Sequence, residues 1–394
     1  MRITLVTETY IPEINGVAKT LARLVQELES RGHQIHIVRP RQKHEARHFS
    51  QPNLTHTLGI SIPGYAGLQF GFPAGNKLLR LWKSETPHAI YVATEGPLGW
   101  SAVSTANKLG IPVLSGFHTN FHAYSKHYGM SWLEPVIFSW LKHFHNRTAC
   151  TLAPSPVLVE QLKTRGITHV DLFSRGIDTS VYHPEHRSND LRKSWQANEN
   201  DTVALYVGRI AAEKNISLVI EAWRNMQRIN ARVKLVMVGD GPQLPRLKRN
   251  YPDIIFCGAK VGIELSQHFA SADVFLFGSE TETFGNVILE AMASSLTVLG
   301  FDYAAAKMHI RNQHNGLVVE PGNRQQFIDA AGTLEKNRQQ LEALRKQARI
   351  SAEKNDWKNI IDHFEKQVIS HVKSEQLIKQ SAEQPGIISV DGSV

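Results

Sequence analysis

Short β-branched runs alternate with helix-patterned stretches along this chain, which predicts an α/β protein built on parallel sheets. Two further observations predict that the plan is used twice. The chain has 394 residues, more than one hydrophobic core usually organises. A polar, turn-rich stretch between Ile177 and Thr202, containing Tyr182-His183-Pro184-Glu185-His186 and Asn198-Glu199-Asn200-Asp201, interrupts the rhythm and divides it. With 42% hydrophobic and 20% charged residues, there is apolar surface enough to fold most of the length. We therefore expect two doubly wound, Rossmann-like parallel-sheet domains, residues 1–180 and 202–354.

In the first domain, Ile3–Val6 reads as a buried strand. After a turn around Pro12–Gly16, Val17–Ser30 has Val17, Leu21, Leu24, Val25 and Leu28 on one helical face, and Gly32 ends the helix. Further strands are expected near Ile35–Val38, Ala89–Ala93, Pro112–Gly116 and Thr151–Ala153. The second domain opens with Val203–Val207 and continues through Val233–Val238, Ile254–Cys257, Val274–Phe277 and Thr297–Leu299. From residue 355 a helix with Trp357, Ile360, Ile361, Phe364 and Val368 at helical spacing is expected to run to 372 and cross back to the first domain. Residues 373–394 read as a disordered polar tail. Two such domains in series imply a cleft lined by strand ends and helix N-termini, where ligands of these sheets bind.

Net charge is +8, and residues 1–185 hold most of the excess, with 18 basic and 12 acidic residues. Thirteen of the 19 histidines lie there too, so that half becomes more positive as pH falls through about 6.5. An anionic partner fits, and so does ordinary surface charge. No nucleic-acid-binding signature is present. No apolar run approaches the roughly 18–20 residues of a membrane span, and the first residues lack the apolar stretch of a signal peptide. The only cysteines, Cys150 and Cys257, are far apart in apolar segments, so a reducing cytoplasmic setting is expected.

The chemistry-bearing residues follow strands. After Val274–Phe277 comes Glu282-Thr283-Phe284-Gly285-Asn286-Val287-Ile288-Leu289-Glu290, two glutamates bracketing a glycine that opens a helix. Carboxylates there accept from sugar hydroxyls, and the free amides from Phe284 to Asn286 suit a phosphate. An isolated pair of this spacing also describes an acidic helix start and a solvated glutamate. After Val203–Val207 comes Gly208-Arg209-Ile210-Ala211-Ala212-Glu213-Lys214, whose Arg209 and Lys214 suit a diphosphate, Arg209 as a bidentate fork and Lys214 as a movable point charge. Asn15-Gly16-Val17 places a glycine between strand and helix, where the backbone approaches a ligand closely. Val238-Gly239-Asp240-Gly241-Pro242 resembles part of a dinucleotide fingerprint, but no full GxGxxG occurs, which disfavours hydride transfer. His118, in Gly116-Phe117-His118-Thr119, sits at a strand end.

Together these features resemble the retaining GT-B glycosyltransferases of family 4, over roughly residues 1 to 372. The resemblance implies a nucleotide-diphosphate sugar donor, GDP- or UDP-linked. Glu282 would contact the sugar, Glu290 the ribose, Arg209 and Lys214 the diphosphate, and His118 the transferred sugar, while Gly16 would let the phosphate approach. The GDGP segment, Arg175-Gly176-Ile177-Asp178, Tyr182 and Pro184 look like family landmarks. Gly116–Phe121 and Phe301–Ala306 are similar to the lipid mannosyl- and sulfoquinovosyltransferase subgroup, with Asp302-Tyr303-Ala304-Ala305-Ala306 standing where many relatives carry a glycine-rich loop. No cofactor is implied, a divalent metal is optional, and no metal-ligand cluster is evident. The acceptor, a membrane lipid or alternatively a soluble sugar, is expected on the first domain. Aromatic and basic residues interleave there in Ile60–Trp82 and Phe121–Arg147, which suits an anionic membrane surface as readily as a core. Glu13, Tyr124 and Tyr128 are the acceptor-binding candidates. A nucleotide-sugar binder without activity is the rival from outside the enzymes, and the sequence leaves oligomeric state open.

Overall fold

Ala89–Val92, Val113–Gly116, Cys150–Ala153 and Val274–Phe277 are buried at every position. Strands with no solvent-facing side belong in parallel sheets covered by helices on both faces. The computed structural model, which describes residues 1–13, 16–42, 45, 52–61, 69–118, 134–280 and 286–383, contains two such sheets. The chain divides into two units, residues 1–175 with the chain from 360 onward, and residues 176–359.

In the first unit the strands are β1 (Arg2–Val6), β2 (Gln34–Pro40), β3 (Leu54–Thr57), β4 (Gly59–Ser61), β5 (Gln69–Gly71), β6 (Ala89–Val92), β7 (Val113–Gly116), β8 (Cys150–Ala153) and β9 (Val170–Leu172). Seven form a parallel sheet in the order β3-β2-β1-β6-β7-β8-β9, and β4 and β5 form a separate antiparallel pair. The chain builds outward from β1 in one direction and from β6 in the other, so the switch point lies between these two neighbours. The helix Gly16–Ser30 buries Leu21, Leu24, Val25 and Leu28, and Gly32 leaves it with φ +81. The helix Gly75–Ser84 buries Leu78 and Trp82, so Trp82 is a core residue and not part of an exposed aromatic surface. Phe144 is likewise fully buried.

The second unit repeats the plan with β10 (Val203–Val207), β11 (Lys234–Val238), β12 (Ile255–Phe256), β13 (Val274–Phe277), β14 (Thr297–Phe301) and β15 (Leu317–Val319), in the order β12-β11-β10-β13-β14-β15. Its switch point lies between β10 and β13. The turn-rich stretch before β10 is structured here: Ile177, Trp195 and Ala197 join a core cluster with Val203 and Leu205 of β10. Its polar residues converge on Asp273, which is fully buried at the start of β13. Arg187, Arg192 and Arg345 approach its carboxylate at 3.2, 3.2 and 3.0 Å, and the Val203 N–H donates to it at 2.9 Å. Burial opposes the charge, but the three guanidiniums overcome it and hold the carboxyl below the usual range.

Within the second unit, its first and last segments pair side by side. The Ile177 N–H donates to Asn355 O at 2.9 Å, and the Trp357 N–H donates to Ile177 O at 3.0 Å. A Cβ on Gly176 would lie 2.7 Å from the Trp357 ring, so only glycine fits there. The final helix does not stop at 372: it spans Trp357–Glu383, correcting the expectation of a disordered tail from 373. Its buried Ile361, Phe364, Val368 and Val372 explain its first half, with Phe364 packed edge-on against Tyr91, ring centroids 5.2 Å apart. The apolar stripe ends near Val372, so Lys373 onward lacks periodicity, yet Lys373–Glu383 consists largely of good helix formers.

Candidate functional site

In the second unit the candidate residues gather where the sheet changes direction. Gly208 leaves β10 with φ +152, and its neighbour Gly239 leaves β11 with φ +144. A Cβ on Gly239 would stand 1.9 Å from Gly208 O, and one on Gly241 would stand 2.3 Å from Ile210 O. The loops are joined by Gly208 N–H to Val238 O at 3.0 Å and Ile210 N–H to Asp240 O at 2.9 Å. The GDGP segment is therefore a backbone clamp that fixes the loop carrying Arg209, which accounts for its glycines without a dinucleotide. The Tyr206 hydroxyl donates to Arg209 O at 2.8 Å from below.

Arg209 itself is exposed and pairs with Glu213 at 3.3 Å. Lys214 closes the 3-10 turn Ala212–Lys214, and Asn215, in the left-handed region at φ 53, starts the helix Ile216–Ile229. On the neighbouring strand, β13 leads to the helix Asn286–Ala293, which carries Glu290 in its second turn. Tyr182 hydrogen-bonds Glu290, and burial together with that carboxylate pushes the Tyr182 hydroxyl well above its ordinary pKa, so it stays protonated and donates. Arg209, Lys214, Asn286 and Glu290 thus share one end of the β10/β13 pair. Glu282, Phe284 and Gly285 lie outside the described residues. Ala304, at the glycine-rich position of other chains, adopts φ +47, a conformation that favours glycine.

In the first unit the strand ends after β1, β6 and β7 hold Glu8, Glu95 and His118. The His118 Nε2 and Tyr91 hydroxyl hydrogen-bond at 3.1 Å, and Gly116 leaves room for both, since a Cβ there would be 2.6 Å from each. Burial depresses the His118 pKa to about 4, with Glu95 opposing and Arg175 and His145 reinforcing, so the ring is neutral near pH 7. Behind it, the fully buried His145 faces Glu95 at 3.5 Å and bonds Ser115 at 2.9 Å. Burial raises the Glu8 carboxyl to about 7 against the pull of the Leu98 and Gly71 amides, and Glu95 adds to the rise. Gly96 has no Cβ because one would lie 2.1 Å from Glu8 Oε1.

Gly16 opens its helix as expected, but the close approach it permits is that of a side chain. The Arg175 guanidinium lies 2.5 Å from where a Gly16 Cβ would be, and burial lowers its pKa to about 10. Glu13 is buried and engaged by Thr9, which donates to Oε2, and by Gln42 at 3.0 Å. Tyr124 and Tyr128 lie outside the described residues. Glu8, Glu95, Tyr91 and His145 were not singled out from sequence. Their signal was positional only: each lies in, or just beyond, a strand or helix whose apolar run had been read. Among the described residues no cluster of three or more His, Cys, Asp or Glu is arranged to hold a metal, and no helix is long and apolar enough to cross a membrane.

A family model described as "Glycosyl transferases group 1" matches residues 187–351, and one described as "Glycosyltransferase Family 4" matches residues 14–181. The chain is 30% identical over 337 residues to a GDP-mannose-dependent alpha-mannosyltransferase of Corynebacterium glutamicum, covering 84% of this chain and 79% of that protein. It is 27% identical over 312 residues to an alpha-monoglucosyldiacylglycerol synthase of Streptococcus pneumoniae, covering 76% of this chain and 70% of the relative. The fold is that of Anabaena HepE, solved in complex with UDP, with a TM-score of 0.69 at 17% identity over 94% of this chain and 100% of that one. The chain belongs to the group 1 glycosyltransferases and has their GT-B fold, so it is a glycosyltransferase.

Proposed function

We propose that this enzyme transfers a hexose, with mannose the first candidate, from a GDP-sugar to a hydroxyl of a membrane lipid, retaining anomeric configuration and acting as a peripheral protein. One observation carries the reading: the second unit presents two cations, a helix N-terminus and a tyrosine-bound carboxylate at a single switch point. Arg209 and Lys214 would neutralise the diphosphate, Glu290 would accept from the ribose hydroxyls, and Glu282 and the amides of Phe284 to Asn286 would meet the sugar and phosphate. The mannosyltransferase of Corynebacterium glutamicum supports GDP-mannose, and the diacylglycerol-linked product named for the Streptococcus pneumoniae relative supports a lipid acceptor.

In the proposed step the acceptor oxygen bonds to the anomeric carbon as the bond from that carbon to the β-phosphate oxygen breaks. The acceptor proton passes to the departing phosphate, giving a glycoside and a nucleoside diphosphate. Arg209 and Lys214 stabilise the charge that grows on the leaving group. His118, neutral and held through Nε2 by Tyr91, is the candidate to meet the sugar undergoing transfer. Tyr124, Tyr128 and Glu13 remain candidates for holding the acceptor. Incubating the protein with a panel of GDP- and UDP-hexoses and lipid acceptors tests the proposal. GDP-mannose should be consumed with formation of a mannolipid of α configuration, and absence of transfer from every donor contradicts it.

A further inference from the structure

The pair β4–β5 is amphipathic in the reverse of the usual sense. Ile60 stands opposite Phe70 in the register, and the Phe72 N–H donates to Leu58 O at 2.9 Å, which extends the pairing by one residue pair beyond Gly59 and Gly71. Alternation puts Leu58, Ile60, Phe70 and Phe72 on one face and Gly59, Gln69 and Gly71 on the other. The glycine face is the one turned inward. A Cβ on Gly59 would lie 2.7 Å from Pro40, one on Gly71 would lie 2.9 Å from Leu98, and Gln69 is buried. The apolar face is in solvent, with Leu58 79%, Ile60 58%, Phe72 44% and Phe70 41% exposed.

In this register four large apolar side chains stand together in solvent, a contiguous exposed patch of the kind that marks an interaction surface. Its flank is cationic. The adjoining helix Gly75–Ser84 buries Leu78 and Trp82 and exposes Lys77, Arg80 and Lys83, with no acidic residue along its length. Lys77 ties this helix to the strand entering the pair by donating to His56 O at 2.6 Å.

We propose that the β4–β5 apolar face inserts into the interface of an anionic bilayer while Lys77, Arg80 and Lys83 engage the lipid phosphates. Apolar insertion beside cations fits such a surface. A second copy of the chain fits less well, because a two-fold contact through this face would set its cations against themselves. The surface deepens the proposed lipid acceptor by naming how the enzyme reaches it. It also explains why the aromatic stretch Ile60–Trp82 divides, with Phe70 and Phe72 outward and Trp82 in the core.

The test is sedimentation of the full chain with phosphatidylcholine vesicles, with and without phosphatidylglycerol. Wild type should bind the anionic vesicles. Ile60→Asp with Phe70→Asp should weaken binding by on the order of 100-fold, since two side chains leave the apolar phase. Ile60→Ser with Phe72→Ser should do so more mildly, and both should leave thermal unfolding unchanged. Arg80→Glu with Lys83→Glu should remove the preference for phosphatidylglycerol. Unchanged vesicle binding in the Asp variant overturns the proposal, as does wild type that binds neither vesicle, or a dimer that the Asp variant splits in place of membrane binding. If wild type binds, the variant does not, and no lipid is glycosylated, the docking surface stands and the lipid acceptor falls.

Discussion

The two units share a plan and differ in where they keep their charge. At the first unit's switch point, His118, Glu8, Tyr91 and Arg175 sit in surroundings dry enough to push each toward its neutral form. At the second unit's switch point Arg209 is 66% exposed at its side chain and paired across the surface to Glu213. Burial makes the first region a frame of neutral hydrogen-bonding groups. Exposure leaves the second a surface charge held only by the weak Glu213 pair, which on the proposed donor assignment a diphosphate would displace. The same topology therefore supports opposite electrostatic tasks through burial alone.

Removing the recruited charge should have the largest effect. Arg209→Ala or Lys214→Ala should lower kcat by roughly 10²–10³-fold, the cost of one preorganised stabilising group, as read by nucleoside diphosphate release. The next effect belongs to the dry frame. Because the folded Glu8 pKa is raised to about 7 from 4.5, the folded state binds the extra proton between those values, and stability declines as pH rises through that window. Glu8→Gln should flatten the decline and add up to about 3 kcal/mol above pH 7, seen in denaturant melts across pH. A melt profile unchanged by the substitution would remove Glu8 from the dry frame.

His118→Gln sharpens the contrast. It should cost roughly 10- to 100-fold in transfer, the worth of one buried hydrogen bond to substrate, while nucleotide binding measured by calorimetry stays within error. Loss of nucleotide affinity in that variant would blur the division of labour. Tyr182→Phe should act on the donor side alone, raising the donor KM about 3- to 10-fold by loosening Glu290. Smallest of all, Ala304→Gly should raise stability by no more than about 1 kcal/mol by relieving a left-handed alanine.

Much of this architecture was legible from residue pattern because parallel strands are continuous apolar runs. Val203–Val207 and Val274–Phe277 coincide with their strands, Arg209 and Lys214 lie in the segment that follows the first, and Glu290 lies in the helix that follows the second. Local reading failed where tertiary partners decide. The stretch before β10 looked like a linker because its polar residues carry the pattern of one, yet Arg192 is 2% exposed through its contact with Asp273. The β4–β5 pair was missed because its strands are three residues long and its inward positions are glycines. Whether Trp82 is interfacial or core stays open in the sequence because amphipathic spacing does not say which face is wet, and the structure places it in the core. The Glu8, Glu95 and His145 cluster has only a positional signal in the sequence, since what distinguishes those groups is the burial that folding imposes.

Arg209 and Lys214 of the second unit are proposed to serve a nucleotide-sugar donor in hexose transfer. Measuring glycolipid formation from GDP-mannose by wild type and by Arg209→Ala tests it most directly. Wild type should turn over, and the variant should lose at least roughly 100-fold. Equal turnover by the two proteins would contradict it.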